Sequence, residues 1–101
     1  MTTVRSTFLL DSFSALNDCA RLRILRLLNQ QELSVGEVAD IIQLPQSTVS
    51  RHLKLLFDAG FTSRRTVGTT GLYRTATEMS SEAAELWTIA ITNSAELPGA
   101  N

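Results

Sequence analysis

Between Gln46 and Lys54 the chain places Gln46, Ser47, Thr48, Ser50, Arg51, His52 and Lys54. These side chains are short or planar hydrogen-bonding groups, with Lys54 a longer cationic one. An arginine fork fits the O6/N7 edge of guanine, glutamine fits the N6/N7 edge of adenine, and hydroxyls serve bases or phosphates. Further along, Arg64, Arg65 and Arg74 are placed to lie along the phosphate backbone or to probe an adjacent minor groove. The lone His52 beside this face suits a phosphate contact or packing against the scaffold. Taken alone, Arg51 and Lys54 describe an ordinary solvated helix surface. Their joint occurrence with the later arginines is what points to nucleic acid.

The whole-chain charge hides this. A 101-residue chain with net charge −1 and pI near 5.7 argues, as an average, against nucleic acid. Between Gln46 and Ala76, however, stand Arg51, Lys54, Arg64, Arg65 and Arg74 against Asp58 alone. After Ala76 come Glu78, Glu82, Glu85 and Glu96 with no basic residue. One segment is built to meet an anion and the other is not. Length and 44% hydrophobic content predict one globular domain over residues 1–95 with a loose tail at 96–101. One cysteine excludes an internal disulfide framework, and no apolar run reaches the roughly 18 residues of a membrane helix. A soluble cytoplasmic protein is the expectation.

The elements that must hold the basic segment are legible from period and caps. Leu9, Phe13 and Leu16 recur at helical spacing over about 6–16. Asp18 caps a second helix with Leu22, Leu25 and Leu28 on one face, widened by Ile24 and Leu27, and with Arg21, Arg23 and Arg26 largely elsewhere. Ser34 and Glu37 form a capping box, with Leu33 and Val38 placed as a staple and Val38, Ile41 and Ile42 as the buried face. Pro45 opens a helix over 46–59 that buries Val49, Leu53 and Leu56 and stops at Gly60. Residues 61–67 and 72–76 read as strands around a turn at Gly68-Thr69-Thr70-Gly71, leaning on the helices or on a short strand near Gln31–Leu33. Tyr73 and Phe57 read as packing residues. The last helix starts at Ser80 or Ser81 and stripes Ala83, Leu86, Trp87 and Ala90, with Ile89 and Ile91 extending more apolar surface than one domain needs. That surplus reads as a partner face with Trp87 as its anchor.

Two short helices, the second polar and basic outside, followed by a basic hairpin, predict a mainly α winged helix-turn-helix with a two-stranded β-hairpin wing. The sequence resembles the ArsR/SmtB family of bacterial repressors through most of its length. The carrying blocks are Asp18-Cys19-Ala20-Arg21-Leu22-Arg23-Ile24-Leu25, Glu32-Leu33-Ser34-Val35-Gly36-Glu37-Val38-Ala39, Gln46 through Leu56, and Asp58-Ala59-Gly60. The resemblance implies a homodimer built on the first and last helices, here Leu9, Phe13, Leu86, Trp87, Ile89 and Ala90. It implies an imperfect inverted-repeat DNA operator, read by one recognition helix per half-site, and repression relieved by a signal. A bacterial cytoplasmic protein, on the nucleoid when DNA-bound, follows.

The departures bear on sensing. Ser34 and Gly36 stand where metal-sensing relatives place cysteines, and residues 78–95 hold no histidine. No metal site or cofactor is expected, and no pattern identifies an inducer. Cys19 stands where many relatives carry proline, and Gln43 where the turn usually has glycine, which asks for a left-handed Gln43 or a different turn. Cys19 at a helix start near arginines fits a lowered thiol pKa, though a small half-buried residue is the commoner use. An enzyme is disfavoured: the glycine-containing turn lies in a hairpin, and the only histidine has no paired carboxylate. The rival is a winged-helix protein-interaction module within a heteromeric regulator, which would show aromatic or aliphatic anchors where this chain shows Ser, Gln, Arg and Lys.

Overall fold

The computed structural model describes residues 3–96. Helix α1 spans Thr3–Leu16, α2 Cys19–Gln30, α3 Val35–Ile42, α4 Gln46–Asp58 and α5 Ser81–Asn93. Strands β1 (Leu33–Ser34), β2 (Thr62–Val67) and β3 (Thr70–Thr75) form one antiparallel sheet in the order β1-β3-β2. The hairpin wing is thus anchored by a third strand, with Leu33 opposite Tyr73 and Ser34 opposite Leu72. Of the tail expected over 96–101, Glu96 ends a 3₁₀ turn and 97–101 lie outside the described residues. Among the described residues, no helix is long and apolar enough to cross a membrane.

The caps sit where the sequence placed them. Asp18 accepts from the Arg21 amide at 3.1 Å and starts α2. Ser34 Oγ accepts from the Glu37 amide at 3.2 Å while the Ser34 amide donates to Glu37 at 2.9 Å, closing the box that starts α3. Gln43 does adopt the left-handed conformation, φ 61° and ψ 49°. Its amide donates to Ala39 O at 2.9 Å and its side chain donates to Asp40 O at 2.6 Å. These bonds cover the open carbonyl end of α3 and offset a backbone cost of about 1–2 kcal/mol for a residue with a Cβ. Pro45 stands one position before the helix, as the extended N-cap of α4. Its carbonyl accepts from Thr48 and Val49.

Val49, Leu53 and Leu56 of α4 are fully buried with Ile24, Leu25, Val38 and Phe61. Each such side chain contributes about 1.5–3 kcal/mol by leaving water. Three expectations need correction. Ile41 is exposed, and Ala39 takes its place in the core with Val38 and Ile42, because α4 lies on that side of α3. The hairpin turn is Gly68-Thr69 alone, since Val67 pairs with Thr70 and puts Thr70 and Gly71 inside β3. Phe61 precedes β2 and anchors the core. Arg21 and Arg26, expected largely off the apolar face of α2, act as clamps: Arg26 Nη1 donates to Ile91 O at 3.2 Å, a cation at the carbonyl end of α5.

α1 packs on its own domain through buried Ser12 and Ala15, with Phe8 and Leu16 half-buried beside them. Leu9, Leu10 and Phe13 stand 42%, 65% and 49% exposed. On α5 only Ala83 is fully buried and Ile89 is 58% exposed. Leu86 and Trp87 are half-buried against the chain's own core. Phe13, Leu16, Leu22, Leu86, Ile89 and Ala90 line an apolar groove of about 320 Å³. Both terminal helices therefore turn large apolar side chains outward at one place.

Candidate nucleic-acid interface

The α3–Gln43–α4 corner fixes α4 by its apolar stripe and turns the opposite face out. Gln46, Ser47, Ser50, Arg51 and Lys54 are exposed, and Thr48 and His52 are half-buried. Ser47, Ser50, Arg51, Lys54, Phe57 and Asp58 form one wall of a groove of about 500 Å³, and Arg64 and Tyr73 form the other. Phe57, expected to pack, is 47% exposed in this groove. Lys54 Nζ lies 2.8 Å from Asp58 Oδ2, and this contact raises the lysine pKa while remaining fully in solvent. An exposed pair of this kind adds little stability, so Lys54 exchanges partners at small cost.

The period of the sheet divides the wing arginines. Arg64 pairs across the hairpin with Tyr73 on the groove face, its guanidinium carbon 5.7 Å from the ring centroid. The guanidinium also crosses Gly71, where a Cβ would stand 2.5 Å from Arg64 Nη2. Arg65 points to the other face. There its Nε and Nη2 each donate to Glu32 at 2.7 Å in a bidentate pair. Arg74 acts electrostatically on the same carboxylate. The Arg65 hydrogen bond, with the charges of Arg65 and Arg74, holds Glu32 below its ordinary pKa, and Arg65 is raised in return. The structure thus brings Arg64 to α4 and ties Arg65 away from it.

His52 belongs to a second network. Its Nδ1 accepts from Arg21 Nη1 at 3.1 Å, and Arg21 also donates to Ala15 O and Ser14 O. Burial pushes the imidazole pKa down; Asp18 opposes this, and the Arg21 and Arg51 charges add to it, leaving His52 below its ordinary value. Burial raises the Asp18 carboxyl, but the Arg21 amide bond and the Arg21 and His52 charges outweigh it and leave it lowered. The sequence reading missed Glu32, Tyr73 as a platform, and Arg21. Glu32 comes into view only with the strand register: with Leu33 opposite Tyr73, the preceding residue faces Arg74. Among the described residues no group of three or more His, Cys, Asp or Glu gathers as metal ligands. Cys19 is a free, exposed thiol at the start of α2.

Helix corner, polar recognition helix and arginine-bearing wing together define a winged helix-turn-helix regulator that binds DNA. The sequence profile "Bacterial regulatory protein, arsR family" matches residues 18–63. An uncharacterized HTH-type transcriptional regulator of Methanocaldococcus jannaschii is 39% identical over 62 residues, 60% of this chain and 70% of that one. The transcriptional repressor BigR from Xylella fastidiosa shares the fold at TM-score 0.68 and 27% identity, over 87% of this chain and 84% of that one. A homodimeric winged helix-turn-helix DNA-binding domain from Mycobacterium bovis, described as a possible ArsR-family regulator, does so at TM-score 0.75 and 27% identity, over 94% and 86%. The chain belongs to the arsR family of bacterial regulatory proteins. It is a DNA-binding transcriptional regulator and not an enzyme.

Proposed function

We propose that the chain is a homodimeric repressor that binds an imperfect inverted-repeat operator, with one α4 in each half-site and the wing at 61–76 beside it. The observation that carries this reading is the groove between α4 and the wing, lined by Ser47, Ser50, Arg51, Lys54 and Arg64. Those are groups for base edges and phosphates, set on a helix of the width that enters the major groove. In this reading Gln46, Ser47, Thr48, Ser50 and Arg51 approach bases. Lys54 and Arg64 take phosphates, with Arg65 and Arg74 on the far face of the wing. His52 acts from behind α4. Leu9, Phe13, Leu86, Ile89 and Ala90 form the subunit contact, with Trp87 supporting them from the core side.

Two neighbours support the details: one is described as a repressor and one as a homodimer. The place of action is the bacterial cytoplasm, on the nucleoid when DNA-bound. Sedimentation equilibrium tests the assembly, with twice the 11.1 kDa chain mass expected at micromolar concentration. The 11.1 kDa monomer at that concentration overturns it. The protein-interaction alternative gains one observation, the exposed Phe57 ring in the groove. The ring stands among hydroxyl, cationic and carboxylate groups, which is a poor anchor pocket.

A further inference from the structure

Arg21 lies on α2 yet joins two other helices. Its Nε donates to Ala15 O at 2.7 Å and its Nη2 to Ser14 O at 3.1 Å, both carbonyls of the last turn of α1. Its Nη1 donates to His52 Nδ1 at 3.1 Å, in the middle of α4 and next to Arg51 in sequence. Elsewhere α1 and α4 meet loosely: a cleft of about 230 Å³ opens between Asp11, Ser14 and Ala15 on one side and Leu55, Asp58 and Ala59 on the other. Apolar packing therefore leaves this junction incomplete, and the guanidinium spans it.

We propose that Arg21 is a positioning residue for DNA recognition, holding α4 at a fixed setting against α1 through a hydrogen bond that only neutral His52 can accept. The proposal rests on the DNA-binding reading above. A guanidinium has donors and no acceptor, so Nδ1 must present its lone pair and the proton resides on Nε2. Protonation of His52 sets an N–H on Nδ1 against an N–H of Arg21, and two cations against each other. The joint then opens. The charged groups around His52 are Asp18 and Arg21 at the start of α2 and Arg51 on α4, and Asp11 and Asp58 line the neighbouring cleft. Asp18 favours the imidazolium, while burial, Arg21 and Arg51 disfavour it more, so the joint stays closed at neutral pH. Because α1 carries the outward Leu9 and Phe13, the joint also ties the setting of α4 to the face proposed for the second subunit.

The test has an arm that needs no DNA. Long-range ¹H–¹⁵N spectra of the His52 ring are expected to show the Nε2–H tautomer, titrating below a histidine's ordinary 6.5. The Ser14 and Ala15 amides are expected to follow that titration. In Arg21→Gln the His52 pKa rises and the two amides stop following. An Nδ1–H tautomer, or a titration unchanged in Arg21→Gln, overturns the joint.

The second arm compares affinity for a duplex selected on the protein with affinity for a random duplex between about pH 7.5 and 5.5. In the wild type the ratio is expected to fall about fivefold on acidification, the loss of one hydrogen bond. His52→Asn keeps an acceptor oxygen where Nδ1 stood and cannot titrate, so it keeps the neutral ratio and flattens the profile. His52→Ala and Arg21→Gln lower the ratio at every pH, with thermal midpoints measured alongside. Equal ratios and equal profiles in all four proteins overturn the positioning role. If selection yields no preferred duplex, the operator reading fails while the ring spectra still decide whether the joint exists.

Discussion

At the scale of single residues, the two arginines next to each other in the wing have opposite fates. Arg64 lies over Tyr73 beside α4, whereas Arg65 is held by Glu32 on the other face. Glu32→Gln therefore frees Arg65 and removes a negative charge beside Arg74. Affinity for every DNA sequence is expected to rise modestly through the wing's more positive field, read from binding isotherms across salt concentration. The Glu32 pKa is lowered in the fold, so the pair's stabilising contribution is present above the ordinary 4.5. It is lost as pH falls through the lower folded value. Glu32→Gln should flatten thermal stability over that acid window. Arg51 is exposed on the outward face of α4 and is proposed to read bases. Arg51→Ala is expected to lose about 1–3 kcal/mol on a selected duplex and almost nothing on random DNA, by fluorescence anisotropy. Equal weakening on both makes Arg51 a phosphate contact.

At the scale of elements, two glycines separate stability from binding. Gly60 ends α4 at φ +87°, and a methyl group added there would meet nothing within 4 Å, so only backbone strain opposes a side chain. Gly60→Ala is expected to cost about 1–2 kcal/mol of stability in urea unfolding while DNA affinity per folded molecule is unchanged. At Gly71 the backbone is ordinary, but a Cβ collides with the Arg64 guanidinium. Gly71→Ala is expected to leave unfolding nearly unchanged and to weaken binding to all DNA by displacing Arg64. The elements were legible where their signals are local. Asp18, the Ser34–Glu37 box and Gly60 mark helix ends whatever the tertiary structure. Ile41, Phe57 and the arginines of α2 were not legible, because their burial depends on which helix packs beside them. The Glu32–Arg65 pair needed the β1–β3 register, which a two-residue strand barely announces.

At the scale of the whole molecule, the polar recognition face was legible as a set of residue types, but its division between groove, wing back and scaffold was not. His52 shows this: its position in sequence suits a DNA contact, and its Nδ1 is committed to Arg21. One chain carries one α4, and half-sites one helical turn apart lie about 34 Å from each other. The proposed inverted-repeat operator therefore calls for two copies, with the proposed contact where Leu9, Phe13 and Ile89 stand exposed. Phe13→Glu is expected to give a folded monomer in sedimentation, since that ring is half outside its own domain. It should lose about tenfold or more in affinity for the selected duplex, because the second half-site no longer binds as part of the same assembly. A dimer that survives the substitution moves the subunit contact elsewhere.

The central claim, sequence-specific binding by a pair of α4 helices, is tested most directly by selecting random duplex DNA on the purified protein and sequencing what is retained. Enrichment of an inverted repeat with half-sites about one helical turn apart is the predicted result. Retention governed by salt alone, with no sequence enriched, contradicts it.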